Sequence, residues 1–292
     1  MKKLSLCLSI VAFGVCLPCL SQAAETNKTA PVETNKPVTV VSIFKDKNLE
    51  AAVRKYVFEK RDTDKPITEA DVVSLSTISG PGLGIKDLTG LDKCKSLASL
   101  DLSKNSISDI SALKGLTGIQ YLHLGANQIE DISPLSGIIA LQYIELSGNK
   151  VKTLEPLTGL TNLNCIYMGT NKIADIKPIV NLPRLSSLYL EHNQIQDITG
   201  LGNLGNLSSL SLSYNKITDI AAIEPLRNLY FLFLEGNKIK DLTPFYNAAK
   251  KDYEGEKRFS PFVNVFLTGN PLNGVSKKQL SSLKEFGTRV TF

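Results

Sequence analysis

Along most of this chain, apolar residues return at fixed offsets from a recurring asparagine. Asn105, Asn127, Asn149, Asn171, Asn193, Asn215 and Asn237 follow one another at steps of 22 residues. Leucine or a near equivalent stands eight, five and three residues before each, as in Leu97, Leu100 and Leu102. Isoleucine, valine or leucine follows at two and five residues after it, and two further apolar positions, such as Leu113 and Leu116, complete the unit. A fixed period of this length marks a solenoid, in which no coil can bury its apolar side chains alone. The alternation just before each asparagine predicts a short strand with two side chains facing in. Stacked coils then place the strands in one parallel sheet, about 4.8 Å apart. The return path is short and carries Pro134, Pro156, Pro178 and Pro244, so 3₁₀ turns or irregular chain are expected there rather than full helix.

Both ends depart from the repeat in ways that predict caps. Asp46–Phe58 is apolar at Leu49, Ala52, Val53, Tyr56 and Val57, which is helical spacing. Thr68, with Asp71 three residues on, forms a capping-box pattern opening a second short helix. A degenerate coil follows, with Leu83 where the asparagine would stand. At the far end Asn270 comes 33 residues after Asn237. The additional residues, near Asn247–Lys257, are charged and include Gly255, which predicts a surface excursion on the convex side. Phe262, Val265 and Leu267 then restore the frame. VSKKQLSSLKEF reads as a helix and TRVTF as a last strand, together closing an edge that could recruit other chains.

The pattern L-x-x-L-x-L-x-x-N-x-I-x-D-I resembles the leucine-rich repeat. Its 22-residue length and the DISPL continuation at Asp131–Leu135 are similar to the internalin-like and SDS22-like classes. NLEAAVRKYV and PITEADVVSL, followed by GIKDLTGL, resemble the helical N-terminal cap of internalins. The resemblance covers Gly84 to about Asn270. It implies an α/β fold: a right-handed leucine-rich-repeat solenoid with a concave parallel β-sheet, convex 3₁₀ or irregular turns, and helical caps at both ends. Likeness to internalins implies recognition of host-cell surfaces. Likeness to the SDS22 class implies phosphatase regulation, which conflicts with the export signal described next.

Lys2 and Lys3 precede an apolar run from Leu4 to Leu17, then Pro18 and the triplet Ser21-Gln22-Ala23. This is the layout of a secretory signal peptide, with cleavage expected after Ala23. The expected organisation is signal peptide 1–23, flexible linker 24–41, helical N-terminal cap 42–83, repeats 84–270 with the insertion near 247–257, and C-terminal cap 271–292. Cys7, Cys16 and Cys19 leave with the signal, and neither Cys16 nor Cys19 has the small preceding residue that a lipid anchor wants. Cys94 and Cys165 remain, which is no disulfide framework. The chain is 42% hydrophobic and 21% charged with formal net charge +5. That charge is mild and forms no nucleic-acid tail. No second apolar stretch is long enough for stable membrane insertion, and no LPXTG sorting signal or C-terminal anchor is seen. The expected location is secreted, periplasmic or cell-envelope associated.

An asparagine among leucines must hydrogen-bond something. Because the same role recurs once per coil, Asn105 through Asn237 are read as a structural ladder pairing with the backbone of their own coil and the next. The aspartates four residues later, from Asp87 to Asp241 with Thr153 in place of one, are read as caps for the convex turns. Function is then expected where the repeat leaves residues free. Side chains six, four and two before each asparagine point out of the concave sheet. They include Tyr121, His123, Tyr143, Glu145, Tyr167, Tyr189, Glu191, Phe231, Phe233 and Glu235, the candidate partner-binding residues. Exposed aromatics mark interaction surfaces. Asp101, His123 and Glu145 share one row, a weak metal site on an open sheet, so no metal or other cofactor is expected. Cys165 is expected on the concave face and Cys94 in the core, too far apart to bridge. Lys150, Lys152, Lys172, Lys216, Lys238 and Lys240 line one edge.

No P-loop, G-x-S-x-G, H-E-x-x-H or CxxC pair is present, so an enzyme is not expected. The leading reading is an exported monomer that binds a protein partner, of host or envelope, through its concave face, with no nucleic-acid partner. The alternative is an envelope component holding an acidic glycan or cell-wall polymer through the lysine edge.

Overall fold

The computed structural model describes residues 41–292. The signal peptide and linker expected from the sequence lie outside the described residues, save Val41. Ten strands of three residues follow in order: β1 (Thr77–Ser79), β2 (Ser99–Asp101), β3 (Tyr121–His123), β4 (Tyr143–Glu145), β5 (Cys165–Tyr167), β6 (Ser187–Tyr189), β7 (Ser209–Ser211), β8 (Phe231–Phe233), β9 (Asn264–Phe266) and β10 (Arg289–Thr291). They form one parallel sheet in strict chain order. Equivalent repeat positions pair throughout: Leu100 faces Leu122, which faces Ile144, and so on to Val265 and Val290. The sheet reaches beyond the repeats at both ends, since β1 lies within residues 42–83 and β10 within 271–292.

The core is a column of stacked coils. In the coil of Asn127, Ile119, Leu122, Leu124, Ile129, Ile132, Leu135 and Ile138 are all at most 1% exposed. Each such side chain contributes roughly 1.5–3 kcal/mol relative to exposure. The return path runs through 3₁₀ turns such as Ser111–Leu113, Ser133–Leu135 and Glu155–Leu157. Each opens on an acceptor two residues upstream. Asp109 takes the Ser111 N–H at 2.8 Å, Asp131 that of Ser133 at 2.8 Å, and the Thr153 hydroxyl that of Glu155 at 3.2 Å.

The asparagines supply the bonds that short strands cannot. Asn171 donates to the carbonyls of Met168 in its own coil, at 3.1 Å, and Leu146 in the coil before, at 3.0 Å. Its Oδ1 accepts from the Val151 N–H at 2.9 Å. The same arrangement recurs from Asn105 to Asn270. The neighbouring coil is thus the preceding one and not the next, because the amide turns back beneath the strand it has just left. To aim it there, the residue directly before each asparagine takes left-handed backbone. Glycine does so at Gly148 and Gly236, but Lys104, Ala126, Thr170, His192 and Tyr214 also hold φ of 54–57°, a conformation that costs about 1–2 kcal/mol in a residue with a Cβ.

The helices act as closures. α1 (Lys47–Arg54) starts at Asp46, whose one oxygen accepts from the N–H groups of Asn48 and Leu49 and whose other accepts from Lys86 at 2.7 Å. One carboxylate thereby caps the helix and fastens it to the first coil. α2 (Glu69–Val72) follows Thr68, whose N–H donates to Asp71 Oδ2 at 2.6 Å, an oxygen also held by Lys60. The stretch expected as a surface excursion instead forms α3 (Thr243–Glu254). Pro244 sits in its first turn, and Phe245, Ala248, Ala249 and Asp252 are buried at helical spacing. Phe262 does not restore the frame either. It is 52% exposed, and Val263 takes the inward slot, because the chain turns tightly there with both Phe262 and Val263 donating to Phe259 O. α4 (Gly274–Glu285) leads into β10.

Replacing Asn171 by Ala strands the Val151 N–H and takes one of two amide donors from the Met168 and Leu146 carbonyls, which Asn193 and Asn149 still hold, and should lower stability by about 1–3 kcal/mol in urea denaturation. Thr170→Gly should act in the opposite sense, raising stability by about 0.5–1 kcal/mol by relieving left-handed strain net of glycine's entropy.

Candidate functional site

Strand alternation sends two side chains per coil out of the concave face, and rings occupy these places on most strands. They stack. Tyr121 and Tyr143 lie 4.5 Å apart between centroids at 12°, Tyr143 and Tyr167 5.3 Å at 37°, and Tyr167 and Tyr189 4.8 Å at 23°. The row then steps over β7, with Tyr189 and Phe233 6.3 Å apart at 41°, and ends on Phe233 and Phe266 at 4.7 Å and 10°. Phe231 stands beside Phe233 at 6.1 Å. Such pairs contribute about 0.5–1.5 kcal/mol each beyond burial, so the row stiffens the sheet. Stacking also covers ring faces, so that edges make up much of what each stacked ring exposes. Tyr121 and Phe231 remain exposed, at 36% and 44%. Burial pushes the Tyr143 and Tyr167 phenols above their ordinary value, with the neighbouring phenols and, for Tyr167, Cys165 adding to the shift.

The polar candidates occupy the same sheet. Asp101, His123 and Glu145 are in register on β2, β3 and β4. His123 Nδ1 lies 3.5 Å from Asp101 Oδ1, whereas Glu145 Oε1 accepts the Ser147 N–H at 2.6 Å, which turns it along its own strand. Among the described residues no group of three or more His, Cys, Asp or Glu side chains is placed to hold a metal ion. Glu235 accepts a hydrogen bond from the Ser213 hydroxyl. Glu191 folds over Gly169, where an added Cβ would collide with its carboxylate. Gly125 gives Glu145 similar room, with Oε1 3.2 Å from the equivalent point. Among the described residues no lysine or arginine nitrogen comes within 4.0 Å of Glu145, Glu191 or Glu235.

Three features were not foreseen from the sequence. Ser209, Ser211 and Ser213, expected to face solvent, are 8%, 5% and 5% exposed, because larger side chains of the adjacent strands wall them in: Tyr189 Oη bonds to Ser209 Oγ at 2.6 Å, and Glu235 holds the Ser213 hydroxyl. Gly125 and Gly169 are seats for the carboxylates of adjacent coils. His192 and Tyr214, both left-handed, stack at 4.4 Å and 6° along the rim. The signal for that pair was present in their shared place just before the asparagine.

Cys165 is half-buried on the concave sheet and its thiol donates to Asn164 Oδ1 at 3.2 Å. Cys94 is buried, which pushes its thiol up to about 12. On the lysine edge Lys152 is paired with Glu130, while Lys150, Lys172, Lys216, Lys238 and Lys240 are exposed. Among the described residues no helix is long and apolar enough to cross a membrane.

Family models described as leucine-rich repeats match residues 95–137, 139–181 and 183–239. No curated protein matches. Among solved structures, an internalin C2 from Listeria monocytogenes is 30% identical, with 79% of this chain and 95% of that chain covered and a TM-score of 0.67. A leucine-rich-repeat protein of Leptospira interrogans is 24% identical over 69% of this chain and 56% of that one, with a TM-score of 0.59. The functional domain of InlJ from Listeria monocytogenes, which includes a cysteine ladder, is 22% identical over 82% and 53%, with a TM-score of 0.58. The last two share the fold.

The raised phenols make alkaline behaviour a check on the stack. Ultraviolet titration should find Tyr143 and Tyr167 ionising above the ordinary value near 10. Since the unfolded chain releases these protons first, the stability they contribute is complete below about pH 10 and lost as pH rises through the folded values. Tyr143→Phe should flatten that loss.

Proposed function

Because this chain belongs to the leucine-rich-repeat family, with internalin-like repeats, we propose that it is an exported binding protein whose concave sheet recognises a protein partner on a host or envelope surface. The observation that carries this reading is the ring row from Tyr121 to Phe266 on a face where no core requires aromatics. Rings are the usual anchors of protein interfaces. Stacking has already fixed their rotamers, so little side-chain entropy remains to be lost on binding. Covered faces are poor platforms for a sugar ring, whereas exposed ring edges suit a polypeptide. His123, Glu145, Glu191 and Glu235 add specificity through charge and hydrogen bonding. Internalin-type leucine-rich-repeat proteins are typically binding proteins rather than enzymes, and the same role is assigned here. The signal-peptide pattern at residues 1–23 supports export. The glycan reading is weaker, since Lys152 already has Glu130 as its counterion.

The test is capture from host-membrane and envelope extracts, followed by affinity measurement on the partner identified. Tyr121→Ser with Tyr143→Ser and Phe231→Ser should weaken binding at least tenfold in a chain that stays folded, its melting lowered by about 3–15 °C through the lost ring pairs. Undiminished affinity in that variant would overturn the concave-face reading. Loss that instead follows Lys150→Ser and Lys172→Ser, or added salt, would favour the polyanion reading.

A further inference from the structure

The ring row lacks one rung. Where β6 and β8 carry Tyr189 and Phe233, β7 presents Ser211, and a recess of about 270 Å³ opens there. Ser211 and Ser213 line its base, Tyr189 and Phe233 its sides, and Glu191 and Glu235 complete its wall; the stacked His192–Tyr214 pair borders it. The volume falls below that of most small-molecule sites and suits one protruding side chain.

Its chemistry selects the sign of that side chain. Tyr189 and Phe233 meet across Ser211 at 41°, so their facing sides are not covered by a parallel ring, and ring faces attract cations. The backbones of Glu191 and Glu235 stand two strands apart, about 10 Å at strand spacing, and no lysine or arginine nitrogen of the described residues comes within 4.0 Å of either carboxylate. Glu191 leans over Gly169 with its Oε2 shut off from solvent and without a hydrogen-bond partner, so it lends the recess uncompensated negative potential rather than an open acceptor. Glu235 Oε2 is held by the Ser213 hydroxyl, which fixes the second acid in place. Two acids beside open ring faces repel an anion and leave a purely apolar side chain facing unpaired charge.

We infer that this recess seats a basic side chain of the protein partner, its charged head against Glu235 within the field of Glu191 and its aliphatic stem along Tyr189 and Phe233. The assignment rests on the concave-face reading and names the chemistry the partner must present there.

The probe is acetyl-Gly-Arg-Gly-amide, with its citrulline counterpart as the neutral isostere, titrated into the ¹⁵N-labelled full chain at low salt. The arginine peptide should shift the amides of Ser211, Ser213 and Tyr214 and saturate at millimolar concentration, on the order of what one side chain supplies. The citrulline peptide should bind about tenfold more weakly, and Glu191→Gln with Glu235→Gln should weaken the arginine peptide by a similar factor. Equal response to both peptides, or no saturable shift at these amides, overturns the inference using the unaltered protein alone. Undiminished arginine binding by the double variant overturns it as well. If the double variant captures the partner as tightly as the parent while the Tyr121, Tyr143 and Phe231 variant does not, the inference fails and the concave-face reading stands.

Discussion

The asparagine amide is the bond on which the rest of this molecule depends. A strand of three residues offers few ladder hydrogen bonds, and the chain must turn sharply at its end. The buried amide closes that deficit by donating to two carbonyls and accepting an N–H from the coil before. Apolar stacking supplies most of the favourable free energy, but it is non-directional. The amides convert it into one register, held from β1 to β10. Constancy of register lets residues 22 apart in sequence become neighbours about 5 Å apart in space.

That constancy makes the concave face a surface in which rings can stack along the axis of the solenoid. Tyr121 through Tyr189 do so without a break, although the row shifts sideways between β4 and β5, from the first outward position of the strand to the second. Where the sequence substitutes serine on β7, the adjoining rings tilt and wall in a recess with the small side chains at its base. Rigidity and recognition are thus properties of the same side chains.

Periodicity made the scaffold legible. Seven inward positions per coil, the strands, the convex turns and the aspartate caps all follow from offsets to one asparagine. The outward placement of Tyr121, Tyr143, Tyr167, Tyr189 and Phe233 follows from the same count. What could not be read were effects between coils. Ser211 is buried because of residues 22 positions away on either side. Gly169 matters because Glu191 needs the space that a Cβ would fill. Phe262 against Val263 is a one-residue choice, decided by the turn at Phe259. The α3 segment was misread because its buried set, Phe245, Ala248, Ala249 and Asp252, includes an aspartate. Burial disfavours that carboxylate, but the N–H groups of Arg258, Phe259 and Ser260 more than compensate and hold its pKa below the usual range.

The α3 segment also shows how such a molecule can change its mass without changing what it reads. It lengthens one coil from 22 residues to 33, yet β9 pairs with β8 in the register every other strand keeps, Leu232 against Val265. The added residues are absorbed on the return path, and the concave surface registers no discontinuity. Growth and recognition are therefore separable degrees of freedom in this architecture: the back of a coil can be remodelled, tagged or enlarged while the front keeps its spacing.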